Sequence, residues 1–209
     1  MDLSLAESEL TQRDTILDVA ARCFMEQGFK AASIDEIARH LGATKGMVYH
    51  YFDSKTELFF QIHQRGMDAL FEAVEPERLR DAPAVDRLFG MARRHVATLI
   101  ETQHYHRAVS EAVQMHLRVS TTASQRERLA RLQARRFRYG EMFLEVIEDG
   151  VREGGIRVTR PRIAIKPMLG ALNSVVNWYH PRYGTTAEAR GEIVEEVTRV
   201  ALRGLVAGE

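Results

Sequence analysis

One cysteine, Cys23, stands in a chain of 209 residues. No disulfide can form within the chain, so a disulfide-braced secreted scaffold is excluded and a reducing cytoplasm is the default setting. Proline is also scarce, five in all, which leaves long stretches open to helix. Apolar runs fall far short of the roughly 20 residues that a spanning helix needs. The opening segment MDLSLAESEL has early acids and no apolar core of the kind an export signal carries, so the protein is expected to be soluble and unexported. Net charge is absent as well, with 29 basic against 29 acidic residues. With 45% hydrophobic residues, disorder is excluded and one large or two smaller domains sharing a core are expected.

The charge is unevenly spread. Residues 1–60 carry six bases and ten acids, whereas 103–140 carry eight bases and two acids. Bulk basicity would therefore place a polyanion site in the middle of the chain. Local pattern points to the N-terminal part instead.

Apolar residues recur at three- and four-residue spacing almost throughout, and strand-like alternation is missing, which predicts an all-α fold. Thr11 is a candidate cap for a helix to about Gln27, which carries Ile16, Val19, Ala20, Cys23 and Phe24 on one face and ends at Gly28. Ser33, with Glu36 three residues on, forms an S-x-x-E capping box for a short second helix. Leu41-Gly42-Ala43 makes a turn, and Thr44 caps a third helix to about Phe52. A fourth restarts at Asp53 or Ser54. It runs through Leu58, Phe59, Ile62, Met67, Leu70 and Phe71, and Pro76 and Pro83 bracket an expected connector. Further helices are expected over 84–102, 105–118 and 125–153, with STTAS at 120–124 as a loop. The last two are expected from Pro161 to before Pro181 and over 186–206. No internal repeat is found.

Ile34 to Asp53 meets the demands of a helix-turn-helix. Ala38 supplies the small residue where two helices cross, and Gly42, four positions on, tolerates a left-handed turn. Ile37, Leu41, Val48 and Tyr51 sit where the inside must be sealed. A wheel over 44–52 turns Val48 and Phe52 inward, leaving Lys45, Gly46, Met47, Tyr49 and His50 on the far face. Lys45, Gly46 and Met47, at the start of the third helix, are candidates for reading base edges. Tyr49, His50 and Lys55 suit phosphate oxygens, and Ser33 and Thr44 offer hydroxyls and helix-start N–H groups to phosphates too. Without a nucleic-acid partner the same segment would be a structural hairpin with a solvated face.

The segment SIDEIARHLGATKGMVYHYFDSKTELF resembles the DNA-binding part of TetR-family transcriptional repressors, and the match continues upstream through ILDVAARCFMEQGFKAASI, covering about residues 12–60. The resemblance implies a three-helix DNA-binding domain, here 1–53, and a larger helical effector-binding and dimerisation domain, here 54–209. It also implies a homodimer joined through the last two helices, about 161–180 and 186–206. By position Ser33, Thr44, Lys45, Gly46, Met47, Tyr49, His50, Tyr51 and Lys55 match places where family members touch DNA. A repressor implies a palindromic operator and release by a small effector.

RFRYGEMFLEVIEDGVREGGIRV and GALNSVVNWYHP, within about 126–182, resemble a TetR subgroup that senses acyl-coenzyme A thioesters, although Ser174 and Asn177 depart from its pattern. A carboxylate or another amphipathic ligand stays open. Tyr139, Phe143, Asn173, Asn177 and Trp178 mix apolar bulk with amide and hydroxyl groups suited to such a ligand. Arg126, Arg128, Arg131, Arg135, Arg136 and Arg138 form either a solvated face or a seat for phosphates. His104 and His106 point about 200° apart on one helix, so with His95 and His116 they are read as partly buried or surface histidines, and neither metal nor cofactor is expected. Nucleophile elbow, P-loop, dinucleotide fingerprint and HExxH are all missing, which argues against an enzyme. A ligand carrier, the other rival, has no use for the helix-turn-helix face.

Overall fold

A computed structural model of the chain describes residues 3–108, 122–183 and 186–206, with side chains from residue 11 onward. Among the described residues no strand forms, apart from one antiparallel bridge between Ile156 and Val206. No helix among them is long and apolar enough to cross a membrane. In chain order the helices are α1 (Leu3–Ala31), α2 (Ile34–His40), α3 (Lys45–Tyr51), α4 (Lys55–Arg78) and α5 (Ala84–Glu101). Residues 103–108 are helical and are labelled α6. Then come α7 (Ala123–Glu153), α8 (Pro161–Asn173), the single turn α9 (Val175–Trp178) and α10 (Ala187–Leu202). His116 and most of the expected 105–118 helix lie outside the described residues.

The chain divides into two compact units. One comprises Met1–Gly66 with His104–Ala130, the other Met67–Gln103 with Arg131–Glu209.

In the first unit, Ile16, Leu17, Ala20 and Phe24 of α1 are buried, as are Ile37 and Ala38 of α2, Val48 of α3 and Leu58, Phe59 and Ile62 of α4. The helix α1 starts at Leu3, eight residues before the expected cap, because Leu, Ala and Glu in 3–10 are good helix formers that prolong it. Thr11 is therefore interior, and its carbonyl accepts from Thr15 Oγ1 at 2.8 Å. The helical path breaks at Gly28 (φ 79°), as expected, and one further turn follows. Gly42 (φ 64°) ends α2 in a Schellman arrangement, with Ala43 N–H donating to Ala38 O at 2.9 Å and Gly42 N–H to Arg39 O at 3.1 Å. The box at Ser33 is only half made. Ser33 Oγ accepts from Glu36 N–H, but the Glu36 carboxylate takes Gln27 Nε2 at 2.7 Å and Arg39 instead. A reciprocal box forms at the start of α7, where Thr122 Oγ1 accepts from Gln125 N–H and Gln125 Oε1 from Thr122 N–H. Ala123 and Ser124, expected in a loop, are accordingly helical.

Within this unit α1 is also held from α4 and α6. The Tyr105 hydroxyl donates to the Asp18 carboxylate, His104 Nε2 lies 3.3 Å from the same oxygen, and Arg65 pairs with Asp14 at 3.9 Å. α4 and α6 pass close at Gly66, where a Cβ would sit 3.2 Å from that of Tyr105.

In the second unit, Met67, Leu70 and Val74 of α4, Leu88, Met91, Val96 and Leu99 of α5, Phe143 and Ile147 of α7, Leu172 of α8 and Leu202 at the end of α10 share one core. α4 runs through Pro76 to Arg78, so the connector is shorter than expected. The missing proline N–H costs one bond in the last turn, and Arg78 offsets it by clasping Glu75 with two bonds (2.7 and 2.9 Å) and Glu145 with a third. Glu153 at the end of α7 caps α5 by accepting from Ala84 N–H at 2.7 Å. The expected 161–180 helix is split at Ser174, whose hydroxyl donates to Ala171 O at 2.7 Å and so competes with the helical ladder.

Gly42→Ala forces a Cβ onto left-handed backbone and is expected to cost about 1–2 kcal/mol, seen as a fall of roughly 2–8 °C in the thermal unfolding midpoint. Gly42→Asn, which tolerates that conformation, is expected to recover most of it.

Candidate nucleic-acid interface

Two capped helix starts set the face. Ser33 Oγ accepts from Glu36 N–H at 3.2 Å, and Thr44 Oγ1 from Met47 N–H at 3.3 Å, each closing an otherwise orphaned donor. Val48 is fully buried and turns the opposite side of α3 outward. Lys45, Gly46, Tyr49 and His50 are exposed, Met47 and Tyr51 partly so. The arrangement gathers a cation, two aromatic rings and an imidazole on one outward surface, with a bare stretch of backbone at Gly46, where a Cβ would meet only Thr44 Oγ1 at 3.8 Å.

Two neighbours of this face were not singled out from sequence. Asp35 on α2 accepts from Lys45 Nζ at 2.8 Å and holds that ammonium above its ordinary pKa, first through the hydrogen bond and then through charge. The same ammonium lies 6.0 Å from the Tyr49 ring centroid, one turn along. Gln12 of α1 reaches Met47 Sδ at 3.9 Å. Neither contact has a periodic signature, since the partners are 10 and 35 residues apart.

Lys55 sits differently from a phosphate-seeking lysine. Its ammonium donates to Ala32 O at 2.9 Å and Lys30 O at 3.2 Å and lies 4.7 Å from the Phe29 ring centroid. Desolvation there lowers its pKa. Two of its three N–H donors thus close the turn after Gly28, and the side chain ties the end of α1 to the start of α4. Cys23 lies buried with Sγ 3.7 Å from His40 Nδ1. Burial, reinforced by Glu36 and Glu26, raises its pKa and keeps the thiol protonated.

The second unit holds a buried polar group of another kind. His95 of α5 is 1% exposed, its Nδ1 is 2.8 Å from the Tyr139 hydroxyl, and its ring meets Phe143 edge-on at 5.9 Å. Burial pushes His95 down to about 4, and a hydrogen bond with the Asn173 side chain offsets only part of that. Burial likewise raises Tyr139 well above its usual range. Of the residues expected to line an effector site, Tyr139 and Phe143 are brought together here, and Asn173 lies beside them with its amide donating to Leu169 O at 2.7 Å. Asn177 and Trp178 do not join them. The break at Ser174 turns Val175 and Val176 inward, leaving Trp178 42% exposed, with Nε1 on Ser174 Oγ and its ring against Tyr183.

Residues 16–62 match the family of bacterial regulatory proteins described as the tetR family, and residues 81–205 match a tetracyclin repressor-like C-terminal domain. The chain belongs to the TetR family. Its members are DNA-binding transcriptional regulators, not enzymes. An HTH-type transcriptional repressor named KstR2 from Mycobacterium tuberculosis is 26% identical over 186 residues, 87% of this chain and 88% of the relative. Among solved structures, the TetR-family regulator PfmR from Thermus thermophilus is 26% identical with a TM-score of 0.77, covering 92% of this chain and 99% of that one. AibR in complex with isovaleryl coenzyme A and operator DNA is also 26% identical, with a TM-score of 0.71 and coverage of 90% and 96%.

In this TetR-family chain the arginine run does not act as one surface. Arg128 stacks on Phe60 at 5.7 Å, and Arg135 stacks on Phe71 at 5.0 Å while pairing with Asp68. Arg126, Arg131, Arg136 and Arg138 are exposed. His104 is held by Asp18, and among the described residues no three His, Cys, Asp or Glu side chains converge on a metal-sized site.

Two outcomes are expected. Lys55→Ala leaves the Lys30 and Ala32 carbonyls without their donor and lowers the thermal midpoint by the equivalent of about 1–3 kcal/mol, before any effect on a partner. For His95 the folded pKa lies below the unfolded value of 6.5, so the unfolded chain binds the extra proton between the two. Its contribution is complete above about pH 6.5 and is lost as pH falls towards about 4, on the order of 3 kcal/mol. Urea unfolding across that range measures it, and His95→Phe flattens the profile.

Proposed function

We propose that the chain is a repressor that binds a palindromic operator as a homodimer and is released by a small amphipathic effector such as an acyl-coenzyme A or a fatty or aromatic acid derivative. The observation that carries this reading is the outward face of α3, where Lys45, Gly46, Met47, Tyr49 and His50 are offered by a helix fixed between a capped start and a buried Val48. Lys45, Gly46 and Met47 meet base edges at the helix start, and Tyr49, His50 and Tyr51 lie further along, towards the phosphates. Ser33 and Thr44 flank the same phosphates.

A single seven-residue helix spans too few base pairs for useful discrimination, so two copies in adjacent grooves are needed. Ile163 on α8 (57% exposed) and Val200 on α10 (59%) are large apolar side chains facing outward, which supports pairing through these helices. The effector class follows the subgroup resemblance and the coenzyme A thioester bound by AibR. Release requires the ligand to bind more tightly to the conformation that holds DNA poorly.

A gel-shift titration with the DNA upstream of the chain's own gene tests the reading, with native mass spectrometry reporting the dimer. Tyr49→Phe is expected to weaken all sequences alike, whereas Lys45→Ala and Met47→Ala change which bases are preferred. Uniform weakening by the second pair would remove the assignment of the reading positions.

A further inference from the structure

We propose that the groove between α5 and α10 is a binding site for an apolar-bodied monocarboxylate, whose head is gripped by the guanidinium groups of Arg80 and Arg94. The proposal rests on the reading of the larger unit as effector-binding, and it adds to that reading a place and a head group.

The groove has a volume of about 560 Å³, within the range of small-molecule sites. It lies inside the second unit, and none of Tyr139, Phe143, Asn173, Asn177 and Trp178 lines it. Four arginines and three glutamates do, so one positive charge is left over. The pairing shows where the surplus sits. Arg93 Nε holds Glu195 at 2.6 Å across the two helices, which cancels one charge of each sign. Arg190 of α10 and Glu101 of α5 have no ionic partner among the described residues, and they too are one of each sign. What remains is Glu77, near the end of α4, between Arg80 and Arg94.

A missing side chain sets Glu77 in place. A Cβ on Gly90 would collide with the Glu77 carboxylate, so it is the glycine that lets this group lie against α5. Arg80 Nε lies 3.5 Å from Oε2 without making a hydrogen bond, and Arg94 Nε lies 3.7 Å from Oε1, beyond hydrogen-bond reach. One carboxylate thus stands against two exposed cations. Such loose surface pairs contribute little to stability. Both approach through Nε, which leaves the terminal N–H fork of each guanidinium facing no protein acceptor among the described residues. That fork is the part that takes a carboxylate by two parallel bonds.

The floor decides the body of the ligand. Ala97 and Ile100 of α5 and Val194 of α10 give the groove an apolar surface. Over Gly191 a Cβ would meet nothing within 4 Å, so a chain or ring has room there. An ammonium would meet the surplus cation, and an alcohol would leave the forks to water. A second anionic group would find no positive charge left to answer it.

Isothermal titration calorimetry of the full-length protein tests the site with probes that share one alkyl body: octanoate, 1-octanol and octylammonium. Octanoate is expected to bind saturably, and the other two about tenfold more weakly or not at all. Gly191→Leu fills the open space without touching a charge, suits a helix better than glycine, and is expected to weaken octanoate about tenfold. Arg80→Gln with Arg94→Gln is expected to remove the advantage of octanoate over 1-octanol; if this pair fails to fold, Gly191→Leu decides alone. Absence of saturable octanoate binding, equal binding of 1-octanol, or unchanged affinity in Gly191→Leu each overturns the site. An effector that releases promoter DNA equally well from wild type and Gly191→Leu does so too, and leaves the effector reading standing. Octanoate that binds wild type, loses affinity in Gly191→Leu and fails to release promoter DNA supports the groove and removes the monocarboxylate as the releasing effector.

Discussion

The turn at Gly42 sets the angle at which α3 leaves α2, and the outward face of α3 depends on it. With only seven residues, α3 is shorter than a helix that holds itself together in water. Its geometry is borrowed from the left-handed glycine, from the amide of Ala43 on Ala38 O, from the Thr44 cap and from Val48 and Phe52 beneath it. The same logic reaches back along the chain. Lys55 secures the turn after Gly28, so the floor on which α2 and α3 rest is joined by hydrogen bonds to main-chain oxygens as well as by apolar packing.

Each unit holds buried polar side chains in pairs. In the first, the Lys55 ammonium, the Tyr105 hydroxyl and the Cys23 thiol each have a neighbour at bonding distance. Such saturation suits a rigid scaffold, because satisfied networks specify one arrangement. In the second, His95 pairs with Tyr139 inside an aromatic wall, with the Asn173 side chain bonded to the same ring.

Much of this is legible in the sequence where the signal is local. Gly28, Ser33, Gly42 and Thr44 announce their roles through spacing alone, because caps and left-handed turns are short-range chemistry. Where expectation and structure part, long-range partners decide. The proline at 76 is expected to end α4, but Arg78 gathers Glu75 and Glu145 across it. Ser33 and Glu36 have the residues of a reciprocal box, but Gln27 and Arg39 claim the carboxylate; the motif TASQ at 122–125 forms the box instead. Asp35 against Lys45 and His95 against Tyr139 join residues 10 and 44 apart, distances over which helical periodicity carries no information.

The Asp35–Lys45 contact bears on how such a head would travel along a duplex. Because Lys45 already has an anionic companion in Asp35, approaching a phosphate would swap one counter-charge for another, and little would be gained from backbone alone. Residues 1–60 also carry four more acids than bases, ten against six. On the proposed DNA-binding reading, a head of this composition would let go of irrelevant sequence quickly and search by many brief collisions in place of long slides. Its dwell time would then come from groove contacts that only the right bases complete.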